Sequence, residues 1–209
     1  MTDSHGASAT DSVTISVGNT APATIIETPA NGTTWSVGDV INFSGRATDV
    51  QDGTLPSSAL SWDLILQHCP SNCHSHTVQT FVGVASGSFV APDHEYPSHL
   101  ELRLTATDSG GLTDTTSVQL DPRTVTLTLQ TDPKGLKLAI NGAESRAPFS
   151  RTVIIGSTNT ISAVSPQTKG NRTYTFSSWT DGALTQTRSI VARDTATTYT
   201  AEFIQGNRN

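Results

Sequence analysis

Cysteine occurs twice and methionine once in 209 residues, and charged residues make up only 14%, against about 25% in an average globular domain. Each scarcity narrows the field. No apolar run approaches the roughly 18–20 residues that a membrane-spanning helix needs. The residues after Met1 are polar, so no signal peptide starts there. Methionine is otherwise absent, and the natural protein is expected to begin upstream. Lys plus Arg number 12 against 18 Asp plus Glu, a net charge of −6, which argues against nucleic acid as a partner. Helical periodicity is almost missing, so a helical bundle is excluded. No glycine-rich loop leads into a helix to cradle phosphate, and no nucleophile elbow surrounds a serine.

What fills the space is Thr, Ser and Gly, as in many secreted β-proteins. Short Val/Ile/Thr/Leu-rich runs alternate with Gly, Pro, Asn and Asp clusters about every ten residues, a pattern of β-sandwich or barrel modules. Strands are predicted near 23–28, 38–48, 60–68, 74–82, 86–91, 98–107 and 113–120, and Asp121-Pro122 closes that module. A second set begins near Thr124, with an Asn-Gly hairpin turn in GLKLAINGAE. Its later strands are predicted near 149–155, 158–164, 173–179, 186–192 and 197–204.

The chain also repeats itself. Residues 2–15, TDSHGASATDSVTI, match residues 107–120, TDSGGLTDTTSVQL, without a gap at a constant offset of 105 residues. That spacing is the size of a domain, not of a solenoid unit. The expected organisation is therefore the terminal strand of a preceding repeat at 1–18, a β-sandwich at 19–122, a second smaller β domain at 123–205 and a frayed tail at 206–209. The strand at 10–17, cut from its own sandwich, is expected to be disordered or to add to a sheet edge. A monomer is the expected state, with strand exchange between chains as the alternative.

The motifs GRATDVQDGTLP, SWDL and LRLTATDSGGLTDTTSVQL resemble a polycystic-kidney-disease (PKD) type domain, over about residues 19–122. The resemblance implies an Ig-like β-sandwich of the kind common in secreted and surface bacterial proteins. It departs at HCPSNCHSHT, where a typical member carries a WxFGDG-like turn. Residues 124–204, with YTFSSWTDG and TTYTAEF, resemble bacterial repeat domains related to internalin B-repeats. The tandem is similar to C-terminal accessory regions of secreted sugar-dehydrogenase-like and carbohydrate-active enzymes. The implication is an extracellular, non-catalytic segment that spaces, stabilises or tethers an upstream catalytic domain of the same polypeptide. It transfers no catalytic residue.

Several residue sets could carry chemistry. Asp49 and Asp52 follow one predicted strand and Asp108 follows another, at loops that can meet at one end of a sandwich. Asn19 and Thr20 in the entering linker would add oxygens, and calcium takes six to eight oxygens from flexible loops. Calcium-binding members of the resembled family use such a set. The alternative is that these residues are Asx-turns and strand caps. A second set is histidine. His68, His74, His76, His94 and His99 crowd one stretch of sequence. A hairpin centred on 69–73 pairs His68 with His74 and Leu66 with His76, so parity puts three imidazoles on one face. They could hold zinc or copper, with His94 and His99 completing the shell. Equally, neutral imidazoles could satisfy one another in a structural network.

Cys69 and Cys73 are expected to form a local disulfide in an oxidising compartment. Trp62 and Trp179 are assigned to cores, leaving Trp35 and Tyr96 as aromatics free to stack on a sugar ring of a polysaccharide or cell-surface glycan. Asp93 and Glu95, alternate residues beside the histidines, are the carboxylate pair to inspect for catalysis. Asn31, Asn42 and Asn171 begin glycosylation-type triplets, which a Thr-rich chain produces by chance. A carbohydrate-binding module and a histidine-based copper or zinc domain are the alternatives to the accessory reading.

Overall fold

The structure is a computed structural model that describes residues 18–68 and 72–206. The earlier repeat copy at 2–15, the strand predicted at 10–17, Cys69 and the tail from 207 lie outside the described residues. Within them the fold is all-β, as the composition predicts.

The first domain runs through β1 (Ala23–Thr28), β2 (Thr33–Trp35), β3 (Val40–Asp49), β4 (Gly53–Thr54), β5 (Leu60–His68), β6 (His74–Val82), β7 (Ser86–Val90), β8 (Ser98–Thr107) and β9 (Thr113–Pro122). One sheet is β1-β3-β4 with β7 also on β3; the other is β2-β9-β8-β5-β6. Alternation decides which side chains face inward. Along β3, Ile41, Phe43 and Ala47 turn into the core, and along β8 Leu100, Leu102, Leu104 and Ala106 do. Between the sheets Trp62 packs against Phe43 with ring centroids 4.8 Å apart, and Phe43 packs against Phe81 at the same separation. Gly45 makes room for this packing. A Cβ there would lie 2.8 Å from the Trp62 ring and 2.7 Å from the Ile25 carbonyl. Any larger residue at 45 therefore forces the sheets apart.

The second domain runs through β10 (Thr124–Asp132), β11 (Lys137–Ile140), β12 (Ala143–Arg146), β13 (Phe149–Ile154), β14 (Thr158–Ala163), β15 (Gln167–Lys169), β16 (Arg172–Trp179), β17 (Thr187–Val191) and β18 (Thr197–Gln205). Its sheets are ordered β13-β10-β18-β16-β15 and β12-β11-β14-β17, with β10 and β18 parallel. The turn between β11 and β12 is the predicted Asn-Gly hairpin. Asn141 (φ 48°) and Gly142 (φ 79°) both occupy the left-handed region that such a turn demands. Leu127, Leu129, Leu138, Ile161, Trp179 and Ala201 fill the second core.

The domains meet without a free linker. Arg123 alone separates β9 from β10. Its N–H donates to the Trp35 carbonyl (2.7 Å), its carbonyl accepts from Ile155 (2.9 Å), and the Ile155 carbonyl accepts from Val37 (3.0 Å). Val153 and Ile154 are consecutive and both buried, so alternation sends them to opposite faces of the strand. Val153 belongs to the second core and Ile154 to the first.

Candidate functional site

Two clusters occupy loop regions of the first domain, one acidic and one imidazole. At the acidic cluster, β3 ends in Asp49, which is buried (8% exposed). Its Oδ1 accepts the N–H groups of Gln51 (2.7 Å) and Asp52 (2.8 Å), an Asx-turn. Asp108 Oδ1 accepts the Leu112 N–H, and Oδ2 accepts the Asn19 amide, each at 2.8 Å. Asp52 accepts both the N–H and the hydroxyl of Ser109 at 2.8 Å, and these bonds hold its carboxyl below its usual pKa. Thr20 donates its hydroxyl to Gln51 at 3.0 Å. The five predicted calcium ligands thus lie on three segments that hydrogen bonds knit together. One atom is left over. Asp49 Oδ2 is buried and has no hydrogen-bond partner among the described residues, although a buried carboxylate oxygen left bare costs about 1–3 kcal/mol or more.

The imidazole cluster sits where the hairpin β5–β6 turns. The register pairs His68 with His74 and Leu66 with His76. A bulge between Leu64 and Ile65, which leaves Val78 unpaired, is absorbed before that point. The 91–97 loop brings in His94. Ring centroids lie 5.1 Å apart for His68–His74, 4.5 Å for His68–His94, 4.8 Å for His74–His76 and 6.5 Å for His76–His94. His74 Nδ1 meets the Asn72 carbonyl (3.2 Å) and His94 Nδ1 meets the Glu95 carbonyl (3.1 Å). His68 Nε2 is buried and unpartnered. Burial pushes the His68 pKa down first, and His94 and His74 push it further in the same direction. Among the described residues, no set of three or more His, Cys, Asp or Glu side chains is already arranged to hold a metal ion. Three of the four neighbouring ring pairs meet edge-on, at 71°, 80° and 90°.

Other sequence expectations meet the structure with mixed results. His99 does not join the imidazoles. It lies on β8 next to core-facing Leu100 and pairs with Gln67, so strand alternation sends its ring to the opposite face from His68. Trp35 is not a free platform. It is fully buried, because β2 zips in parallel onto β9 and the indole Nε1 donates to the Leu120 carbonyl at 3.0 Å. Tyr96 does face solvent, at 45% exposure. Asp93, half of the carboxylate pair, is spent on the domain junction, where its Oδ2 accepts the Thr158 N–H at 3.0 Å. Cys73 is not a free thiol; its expected partner Cys69 lies outside the described residues.

The structure also places together residues that sequence reasoning passed over. A cleft of about 700 Å³ runs between the domains, with His68, His94 and Tyr96 on one wall and Asn141, Arg151 and Asn159 on the other. In the second domain, the Arg188 guanidinium lies 5.2 Å over Trp179 and 5.5 Å over Tyr199. It also grips Asp181 through two bonds of 3.0 and 2.6 Å. Nothing in a Thr-rich alternating strand announces that stack.

No protein-family model matches the chain, and no curated protein matches it. Among solved structures it is similar to Spo0M, a sporulation control protein from Bacillus subtilis, at 10% identity and a TM-score of 0.34. That match covers 77% of this chain and 79% of the other.

Proposed function

We propose that this chain is a non-catalytic extracellular accessory segment, one that spaces or tethers a catalytic domain of the same polypeptide and is stiffened by calcium. The observation that carries the reading is the junction. A one-residue connection, a ladder of backbone bonds and Ile154 seated in the neighbouring core suit a rigid spacer better than a flexible string. Association through such a segment raises the local concentration of an attached domain. The resemblance to PKD-type modules supports the same reading, as does the oxidising compartment expected for a Cys69–Cys73 disulfide.

Calcium is the ion that suits the acidic cluster. Asp49 Oδ2 is a buried carboxylate oxygen in want of a partner, and the segment that carries Asp108 is tied to its own through Ser109 and Asp52. Asn19 now turns its amide nitrogen to Asp108; rotating that amide would present its oxygen instead. The test is thermal melting of the whole chain with and without millimolar calcium. Calcium raises the melting temperature, EGTA reverses the rise, and Asp49→Asn abolishes it. A flat titration at millimolar calcium removes the ion from the account. Retention on insoluble polysaccharide would favour a carbohydrate-binding module, and turnover by the chain alone would overturn the non-catalytic reading.

A further inference from the structure

We propose that His68, His74, His76 and His94 form a binding site for one borderline divalent transition metal, zinc or copper(II), at the mouth of the interdomain cleft. Such a site is independent of the accessory role.

The backbone fixes two of the tautomers. A carbonyl oxygen can only accept, so His74 Nδ1 and His94 Nδ1 carry the protons in their bonds to the Asn72 and Glu95 carbonyls. In each neutral ring the lone pair is then on Nε2. An Nδ1–H held by a backbone carbonyl is the arrangement that orients metal-binding imidazoles and fixes their donor atom. His68 contributes a third nitrogen, Nε2, that is buried and bonds to nothing among the described residues. The structure thus carries two rings with Nε2 set as the donor and a third whose Nε2 lacks a partner.

Spacing is the second strand. A metal–nitrogen bond of about 2.0–2.1 Å along the lone pair puts each ring centroid about 3.2 Å from the ion. Tetrahedral neighbours then have centroids about 5 Å apart, and neighbours in a square about 4.5 Å apart. Three consecutive separations here are 4.5, 5.1 and 4.8 Å. The fourth, His76 to His94, is 6.5 Å. Closing it needs a shift of His94, which sits in the 91–97 connection outside any strand. The rings themselves meet edge-on, so binding requires them to turn about their side-chain bonds until the nitrogens converge. No backbone rearrangement of the hairpin is needed, because its register already pairs His68 with His74.

The third strand is ligand type. Imidazole suits zinc and copper, whereas calcium and magnesium want oxygen. The two clusters of this domain should therefore select different ions. His68 and His94 also line the interdomain cleft, which places the ion at its edge.

The experiment uses the untagged chain, stripped with chelator, then titrated separately with zinc and copper(II) salts against a competing dye. One equivalent binds with a dissociation constant in the micromolar range or tighter. His76→Ala and His94→Ala each weaken it at least about tenfold, the scale seen when support for a metal site is lost. His99→Ala, on the opposite face, leaves it unchanged. X-ray absorption of the zinc form then reports three or four nitrogens at about 2.0–2.1 Å, a readout on the unmutated chain that does not depend on any variant folding. Oxygen-dominated coordination, equal losses in His99→Ala, or no binding below millimolar metal each overturn the proposal.

Discussion

In the acidic cluster, charge is answered by backbone. Asp49, Asp52 and Asp108 between them accept four N–H groups, a hydroxyl and an amide, and one carboxylate oxygen is left bare. In the imidazole cluster, rings lean on rings, two nitrogens find carbonyls, and one is left bare. The acidic cluster explains itself as a set of turns apart from a single atom. The imidazole cluster shows two ring-to-carbonyl bonds among the described residues, and it abuts a second domain whose Ile154 and Thr158 reach across to the first. Each cluster thus keeps one buried atom in want of a partner, and residue type separates what could fill it: an oxygen suits calcium, an imidazole nitrogen a transition metal.

The junction bears unequally on the two clusters. Ile154 is fully buried in the first core although its strand belongs to the second domain. Ile154→Ala removes buried methyl groups and leaves a cavity at an interface, at an expected cost of about 2–4 kcal/mol. Denaturant unfolding measures it. Hydrogen exchange locates it: protection falls in 91–97 and 154–158, while amides of 49–52 and 108–112 keep theirs. Equal loss in both regions would mean that the two clusters are not mechanically separate.

The division between legible and illegible features runs along the same line. Alternation in 40–48 and 98–107 spells out core-facing Ile41, Phe43, Leu100, Leu102 and Leu104, because a strand repeats every two residues and its burial shows in the spelling. The same parity, applied to the hairpin, places His68, His74 and His76 on one face. Parity also disqualifies His99, the neighbour of core-facing Leu100, yet the symmetry of two histidines around Tyr96-Pro97 hid that. Trp35 was illegible for a different reason. Three residues are too few to show a period, and its burial depends on β9, some 85 residues later. The junction was harder still. Val153 and Ile154 read as one apolar run, and nothing local says that they serve two cores. His94 reaches the imidazoles only because the intervening loop folds back, which no pattern in 91–97 encodes.

A smaller effect sharpens the acidic side. Asp114 Oδ2 accepts both the N–H (2.8 Å) and the hydroxyl (2.6 Å) of Thr24, fastening β1 to β9. The hydroxyl bond first, and the backbone bond second, hold its carboxyl below the usual aspartate pKa. A carboxyl with a depressed folded-state pKa stabilises the fold above its unfolded pKa near 4, and that contribution is lost as pH falls through the folded value. Asp114→Asn therefore costs about 1 kcal/mol at pH 7. The difference from the parent shrinks towards zero in unfolding measurements carried down to about pH 2–3. A penalty independent of pH would assign the effect to shape and not to charge.

The smallest effect tests what holds the domains together. Arg123 and Asp39 approach to 3.6 Å across the junction, both about half exposed. Such pairs contribute about 0–1 kcal/mol because water and salt screen them and two side chains must be ordered. Arg123→Gln keeps the backbone N–H that bonds Trp35 and the carbonyl that receives Ile155, so it removes the charge and little else. Its expected cost is below about 0.5 kcal/mol, and raising the salt concentration narrows even that small gap between the unfolding midpoints of parent and variant. Set beside Ile154→Ala, that near-silence would assign the docking to apolar burial and backbone bonding. A junction of that kind persists at high ionic strength and holds the imidazole cluster against the second domain whatever the charge state of the surface around it.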